Sequence, residues 1–347
     1  MEENTSNNYL VGIRCYTYNQ SQYITDALNG FTMQQTTFPF VAMVVDDAST
    51  DGEQDVIAAY VEEHFDTQDS DIAYKKETDY AHITFARHKT NKNCYIVVLY
   101  LKENHYSKKL SYKKLEYLSQ WRDNTKYEAL CEGDDYWIDP LKLQKQVDFL
   151  ENNPEYGMCY TKAQCYIQLE GKHKKVFGGP SEQFEDLLNG NTIPTLTVLL
   201  RAYLFKKYQE DIHPEKYSWM MGDYPMWLWI AYNSKIKFIK DVSGIYRILE
   251  TSASHSTDIL KQERFINSSF DMLHVFAEKY SYRSLRYIED RRYRALMSNA
   301  LLFGNSEKAI NSFRNIKETT YKDYMKLIIS LSSILRFILR KLRYNYD

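Results

Sequence analysis

The chain has 347 residues, 44% of them hydrophobic, enough for one large domain with an appendage or for two domains with a real core. Its 44 Lys and Arg stand against 46 Asp and Glu, a formal charge of -2, so no global field recruits nucleic acid or another charged polymer, and partners are chosen at local sites. Five cysteines, odd in number and without a CxxC pair, lie mostly in apolar runs, the pattern of buried reduced thiols in a reducing cytosol.

The opening MEENTSNNYL is acidic and polar and reads as no secretory leader, and no run reaches the roughly 18 apolar residues that span a bilayer. YLVGIRCYTYN, residues 9–19, predicts a buried strand ending in a polar turn, and QYITDALNGFTMQQ carries helical spacing through Ile24, Ala27, Leu28 and Phe31. FPFVAMVV predicts a second strand that stops at DDASTDG, residues 46–52, and EQDVIAAYVEEHF after it is helical. YIVVLYL offers a further strand, KLSYKKLEYLSQW a helix, and KYEALCEG a strand ending in acids. Strands alternating with helices imply an α/β fold on a parallel sheet. PLKLQKQVDFLENN predicts a helix with Pro140 in its first turn, Asp139 as its cap and Pro154 as its stop. The acids of CEGDDYWID, residues 131–139, therefore sit on a strand-to-helix turn. Beyond about residue 155 short strands mix with a helix at YPMWLWIAYN, and from about Leu260 helical signals dominate, with no Pro and only Gly304. The expected organisation is one domain over residues 1–255 and a helical region over 256–347.

In open α/β sheets ligands bind beyond the carboxyl ends of strands, where both acid clusters fall, Asp46/Asp47 and Glu132/Asp134/Asp135. Asp47, Ser49, Asp51 and Gly52 match the start of a calcium loop, but Ala58 stands where the bidentate Glu belongs and a strand replaces the incoming helix, which excludes an EF-hand. Two readings of DDASTDG stay open: a turn whose Asp and Ser cap the next helix, or a nucleotide contact in which Asp46 or Asp47 accepts hydrogen bonds from base or ribose. Glu132 and Asp134, two apart, converge if Gly133 breaks strand alternation. Carboxylates crowded at a buried turn raise one another's pKa, and a divalent cation removes that penalty. All-oxygen ligands select Mg2+ or Mn2+ over zinc and leave positions for phosphate oxygens; a solvated acidic turn is the alternative.

In order and at appropriate separations, GIRCYTYNQSQYITDAL, MVVDDASTDG and LCEGDDYWIDPLKLQKQVDFLENNP resemble the hallmark segments of family 2 glycosyltransferases with the GT-A fold, over roughly residues 9–255. The EGDDYW segment resembles that of a bacterial subgroup acting in cell-surface polysaccharide synthesis. The resemblance implies a Rossmann-like, mostly parallel central sheet flanked by helices, with the C-terminal helices as an extension. It implies that Tyr16, Asn19 and Asp47 line the nucleotide pocket, with Asp47 on the base. Glu132 and Asp134 stand where the family's Asp-x-Asp stands, Asp134 being the metal ligand; the first acid here is one methylene longer.

Displacement at the anomeric carbon of a nucleotide sugar needs charge relief on the departing diphosphate and a base for the acceptor hydroxyl's proton. WMMGDYPMWLWIAY places Asp223 after Gly222 and before an aromatic-rich helix, where it reads as an N-cap with Pro225 in the first turn. Family 2 enzymes carry their base at this place, often within Glu-Asp, and the resemblance assigns that role to Asp223. Trp219, Trp227 and Trp229 suit sugar faces or, at helical spacing, the core, which is the default for Trp229. Arg247 suits a phosphate clamp, and His255 resembles a late metal or diphosphate ligand of some GT-A enzymes, an exposed loop histidine being the alternative. HYSKK, residues 105–109, reads as a solvated basic turn or a diphosphate contact.

YMKLIISLSSILRFILRKLRYNYD, wound as a helix, sets Leu327, Leu331, Ile334, Leu335, Ile338 and Leu342 on one face, with Lys326, Ser330, Ser333, Arg336, Arg340 and Arg343 largely opposite. Residues 324–343 suit an anionic membrane surface and a lipid-linked acceptor, or packing on the preceding helices or a second subunit of a homo-oligomer. The expectation is an inverting glycosyltransferase that uses Mg2+ or Mn2+, a nucleotide diphosphate sugar carried by UDP, and a glycan or lipid-linked acceptor. Its expected place is the cytoplasm, peripheral at the inner membrane face. The rivals are a catalytically silent module of the same fold that binds nucleotide or glycan, and a paired-carboxylate glycoside hydrolase, which needs neither nucleotide nor metal.

Overall fold

In the computed structural model, residues 9–249, 258–281, 285–333 and 335–336 are described. The chain begins β1 (Val11–Thr17), α1 (Ile24–Thr32), β2 (Phe40–Asp46), α2 (Glu53–His64), β3 (Phe65–Asp66), β4 (Tyr74–Glu77), β5 (Ala81–His88) and β6 (Cys94–Leu101). It continues with α3 (Ser111–Tyr117), α4 (Ser119–Arg122), β7 (Tyr127–Leu130), β8 (Tyr136–Trp137), α5 (Lys142–Asn152), β9 (Tyr156–Ile167), β10 (Lys172–Phe177), α6 (Phe184–Asn189), β11 (Leu199–Arg201), α7 (Ala202–Ile212), α8 (Tyr224–Asn233) and β12 (Lys235–Ile248). Four helices close it, α9 (Ile259–Lys279), α10 (Leu285–Phe303), α11 (Ser306–Asn315) and α12 (Tyr321–Leu331). The fold is mixed α/β, a large central sheet flanked by helices with further helices at the C-terminal side. Two compact units form: one from residues up to Tyr166, Lys175–Glu215 and Ile230–Arg247, the other from Ile167–Lys174, Lys216–Trp229 and the chain from Ile248 onward.

The first unit is built on a sheet in the order β3-β5-β6-β2-β1-β7-β11-β9-β12-β8. Its centre, β6-β2-β1-β7, is the parallel part that alternating strands and helices require, with Val11 level with Phe40 and Tyr127, and Phe40 level with Cys94. Outside it, β5 runs antiparallel to β6, and β11 antiparallel to β7 and β9. Strands β3 to β5 escape the sequence reading because their buried positions, Ala81, Ile83 and Phe85, alternate with polar residues along a short ribbon.

Alternation fixes the two faces of the central strands. Val11, Ile13 and Cys15 of β1 join Ala42 and Val44 of β2 and Ala129 of β7 in one core with Ile24, Leu28 and Phe31 of α1. Val41, Met43 and Val45 turn to a second cluster with Leu118 and Trp121. On that side Arg14 pairs with Glu128 at 3.0 Å, and both Arg14 and Arg122 stack over Phe205, so the fully buried Glu128 is neutralised from both sides. All five cysteines are buried and none forms a disulfide.

Helix α5 begins at Lys142, two residues later than the sequence suggests; Asp139 still caps the turn, its Oδ1 accepting from Leu141 N at 2.9 Å. Lys142 is fully buried, its ammonium 4.1 Å from the centre of the Trp137 ring and bonded to Gln146 Oε1 at 2.7 Å. Burial pulls its pKa down to about 7. The folded state therefore favours the neutral amine while the unfolded chain stays protonated to about pH 10.5, so stability rises with pH across that window. Lys142→Met removes this dependence. Its melting temperature relative to wild type should be highest near pH 7 and fall as pH rises toward 10, a change of the order of 4 kcal/mol over the window. Paired thermal melts at several pH values check it; parallel curves would refute a neutral buried amine.

In the second unit Asp258 caps α9, its carboxylate accepting from Leu260 N and Lys261 N. Met297, Ala300, Ala309 and Ile316 form the core between α10 and α11, and Asp290 accepts from Lys317 N and Glu318 N to hold the following loop. Among the described residues no helix is long and apolar enough to cross a membrane.

Candidate active site

Strand β1 is the switch point of the parallel sheet: the chain leaves it for β2 on one side and returns as β7 on the other. Beyond its carboxyl end, Asp47 N donates to Thr17 O at 3.0 Å and Gly133 N donates to Tyr16 O at 3.2 Å. The two acidic segments of the sequence thus flank the same strand end. Gly133 is required there, because an added Cβ would collide with Thr17 Oγ1 and lie 2.5 Å from Gln20 Oε1.

The loops after β1 and β2 are stapled together by Glu53, the first residue of α2. Fully buried, it accepts from Thr17 Oγ1, from Gln20 N at 2.9 Å and from Ser49 Oγ at 2.8 Å. Burial pushes its carboxyl up, against these bonds, which favour its charge. Asn19, at φ 54°, adds a second tie, its Oδ1 accepting from Thr50 N and its N–H donating to Ser49 Oγ. Asp46 is turned under α2, Oδ1 accepting from Ser49 N at 3.0 Å and Gln54 Nε2 at 2.6 Å, while Oδ2 is buried without a hydrogen bond.

Asp47 lies on the opposite face, where three groups satisfy it: His105 N at 2.8 Å, Tyr106 N at 3.0 Å and Lys114 Nζ at 2.8 Å. Lys114 also lies 5.3 Å from the centre of the half-buried Tyr16 ring. His105 is buried and bonded through Nε2 to Tyr117 Oη, so the backbone of His105 and Tyr106 holds Asp47, while the side chains of residues 106–109 are exposed and Lys108 pairs with Glu103.

The EGDDYW turn separates its three acids. Glu132 is exposed, Asp134 half-buried and Asp135 buried. Asp135 Oδ1 accepts from Arg247 N of β12 at 2.8 Å, and Arg247 reaches back with one nitrogen to Asp134 O at 3.1 Å and another to Asp26 Oδ2 of α1 at 2.7 Å. Tyr23 and Tyr136 lie against its guanidinium at 4.6 and 5.1 Å. Arg247 therefore fixes the turn. Burial pushes the Asp134 carboxyl up, with Arg247 and Gln20 holding it back. Burial first, and then the charge of Asp134, drive Asp135 well above the carboxylate range.

Among the described residues no three His, Cys, Asp or Glu side chains gather as a metal-ligand set. His255 lies outside the described residues. Asp223, in the second unit, stands at the N-cap of α8: its carboxylate accepts from Tyr224 N at 2.7 Å and its C=O from Trp227 N at 3.0 Å. Trp227 and Trp229 are core residues, whereas Trp219 is half-buried and stacked on Tyr217 at 4.1 Å.

Sequence reasoning passes over Glu53, Gln20, Lys114 and Asp26, and gives Asp135 no role beyond membership of its acid cluster. Glu53 carries a local signal, an acid in the first turn of a helix behind an Asp-Ser-rich loop; the rest are brought in by residues far along the chain.

No protein-family model matches the chain. Curated relatives include uncharacterised proteins of Mycobacterium bovis and Mycobacterium tuberculosis, each 35% identical over 143 residues, or 41% of this chain and 32% of theirs. The chain thus spans about a third of the length of the curated relatives it matches. Among solved structures, it is similar to S. aureus TarS 1–349 in complex with UDP, with a TM-score of 0.46 at 16% identity over 96% of this chain and 91% of that one. A mannosyltransferase from Pyrobaculum calidifontis in complex with GDP-Man and Mn2+ gives 0.48 at 13% identity over 95% and 83%.

Proposed function

We propose that the protein is an inverting glycosyltransferase of the GT-A kind. It moves a sugar from a UDP-linked donor to a hydroxyl of a glycan or lipid-linked acceptor in bacterial surface polysaccharide or glycolipid synthesis. The observation that supports this reading is the placement of DDASTDG and EGDDYW on either side of the β1 end, at the switch point of a parallel sheet.

The residues present fit a divalent cation in one respect that the protein's own groups leave open. Two neighbouring carboxylates, Asp134 and Asp135, are held in a buried turn with their pKa values raised, a cost that a cation offsets. Asp134 would hold Mg2+ or Mn2+, with Glu132 beside it; the bound ion would neutralise the charge that develops on the leaving diphosphate. Tyr16, Asn19 and Glu132, all at least partly solvent-accessible, would meet the nucleotide. Asp46, Asp47 and Arg247 are positioning residues in this scheme: each is committed to the bonds that set the loops. Asp223 takes the acceptor proton as the hydroxyl oxygen attacks the anomeric carbon and the bond to the diphosphate breaks.

A thermal-shift panel of nucleotide sugars with and without Mn2+, followed by turnover assays with the donors that bind, tests the reading. A UDP-sugar should raise the melting temperature only with the metal and should then be consumed. Binding without turnover on any acceptor would reduce the protein to a nucleotide-binding module, and glycoside cleavage insensitive to chelator would replace the reading by a hydrolase.

A further inference from the structure

Helix α3 buries one side chain, and that side chain is a lysine. Lys114 is 5% exposed, whereas Leu115 beside it is only half-buried and Tyr112 is open to solvent. The Lys114 ammonium reaches Asp47 Oδ2 at 2.8 Å and lies 5.3 Å from the centre of the Tyr16 ring. One side chain of α3 thus meets both the residue that follows β2 and the carboxyl-terminal part of β1. The helix that carries it is braced: Tyr117 stacks on Tyr80 with ring centres 3.6 Å apart, and its Oη meets His105 Nε2 at 3.2 Å.

An ion pair at this depth gives up its hydration, and apolar residues of the same size would serve stability as well or better. The surroundings show what the charge does instead. Asp47 is 2% exposed and its carboxylate is spent on His105 N, Tyr106 N and Lys114, so it offers a nucleobase no acceptor. Tyr16 is half-buried at the border of the cluster of Val41, Met43, Val45 and Leu118, and its Oη is buried without a hydrogen bond, so the hydroxyl does not anchor the ring. The cations against that ring are Lys114 and, at 5.6 Å, Arg14. Arg14 stands two residues back on the same strand and is itself held by Glu128 and Phe205. Lys114 is therefore the charged contact that ties the ring to a different element.

We propose that Lys114 is a positioning residue of the nucleotide site: paired with Asp47, it holds the Tyr16 ring where a nucleobase stacks on it, so that the base is bound through the ring face and not through Asp47. The inference rests on the reading of the β1 end as a donor site, and it departs from the resemblance, which sets Asp47 on the base.

Titration calorimetry of UDP and of inorganic pyrophosphate, both with Mn2+, tests it on wild type, Lys114→Gln, Lys114→Met, Tyr16→Leu and the double variant of Lys114→Gln with Tyr16→Leu, with thermal melts alongside. Lys114→Gln should weaken UDP by about tenfold and pyrophosphate by less than about twofold, because the base loses its platform while the diphosphate end is untouched. Lys114→Met should show the same split and a lower melting temperature, since it leaves Asp47 buried without a counter-charge; Lys114→Gln, which keeps a donor, is the variant to read if Met does not fold. Tyr16→Leu should weaken UDP by a similar factor, and adding Lys114→Gln to it should change the affinity by less than about twofold, as expected of a residue that acts through another. UDP binding unchanged in Lys114→Gln, equal losses for UDP and pyrophosphate, or losses that multiply in the double variant would each overturn the proposal. Wild type that binds neither ligand would instead overturn the donor-site reading, and the inference with it.

Discussion

Asp134→Asn should lower sugar transfer by about 10²- to 10³-fold while leaving the fold intact. The side chain is half-buried in a turn that Arg247 and Gly133 hold through other atoms: the Asp134 carbonyl, the Asp135 carboxylate and the Gly133 N–H. Its carboxylate, met by the Gln20 side chain, is the part of the turn that Arg247 and Gly133 do not bond. Asn keeps the size and loses the charge, which removes the burial cost that raises the Asp134 pKa and relieves the push on Asp135. The variant should accordingly be as stable as wild type or more so, and its loss should appear in kcat with saturating metal unable to restore it. Steady-state rates over a Mn2+ series, read beside thermal melts, check both halves. Full activity in a stable Asp134→Asn protein would remove the acid from the chemistry.

The second expected result concerns Asp223, where the cap seen in the structure and the proposed base make different demands. Asn caps a helix about as well as Asp, so Asp223→Asn should preserve the bond to Tyr224 N and the melting temperature. It cannot accept a proton, and kcat should fall by about 10²- to 10⁴-fold with donor binding unchanged. Ala at the same position should lose the activity and, in addition, about 1 kcal/mol of stability. If Asn is active and only Ala is impaired, through stability alone, Asp223 is a cap and the base lies elsewhere.

Much of the parallel core was legible because each strand is a short, nearly continuous apolar run ending in polar residues. FPFVAMVV before DDASTDG is the clearest case, buried at every position of β2. The same property placed both acid clusters at carboxyl ends, where the structure has them. The antiparallel additions were not legible: β3 and β8 are two residues long, and β4, exposed throughout, joins β5 in a local hairpin that carries no continuous apolar run. Within the site, residue type alone does not show which acid of a cluster faces solvent. Asp46 and Asp47 are adjacent, yet strand alternation sends one beneath α2 and the other to Lys114. Arg247, which the sequence offers as a phosphate clamp, is occupied by Asp26 and the Asp134 carbonyl because α1 and β12 meet at the turn. For α12 the helical pattern was readable, but which side docks was not: Lys326 and Ser330, which the pattern puts on the polar side, bond to Ser298 and Ser306.

Titration calorimetry of UDP into wild type and Asp134→Asn, each with and without Mn2+, puts the arrangement at the β1 end to its most direct trial. Wild type should bind the nucleotide diphosphate tightly only when the ion is present, and the variant should show the weak, ion-independent binding of wild type without metal. Equal affinities in all four titrations would mean that the two acidic segments meet beside β1 for some purpose other than holding a cation against a diphosphate.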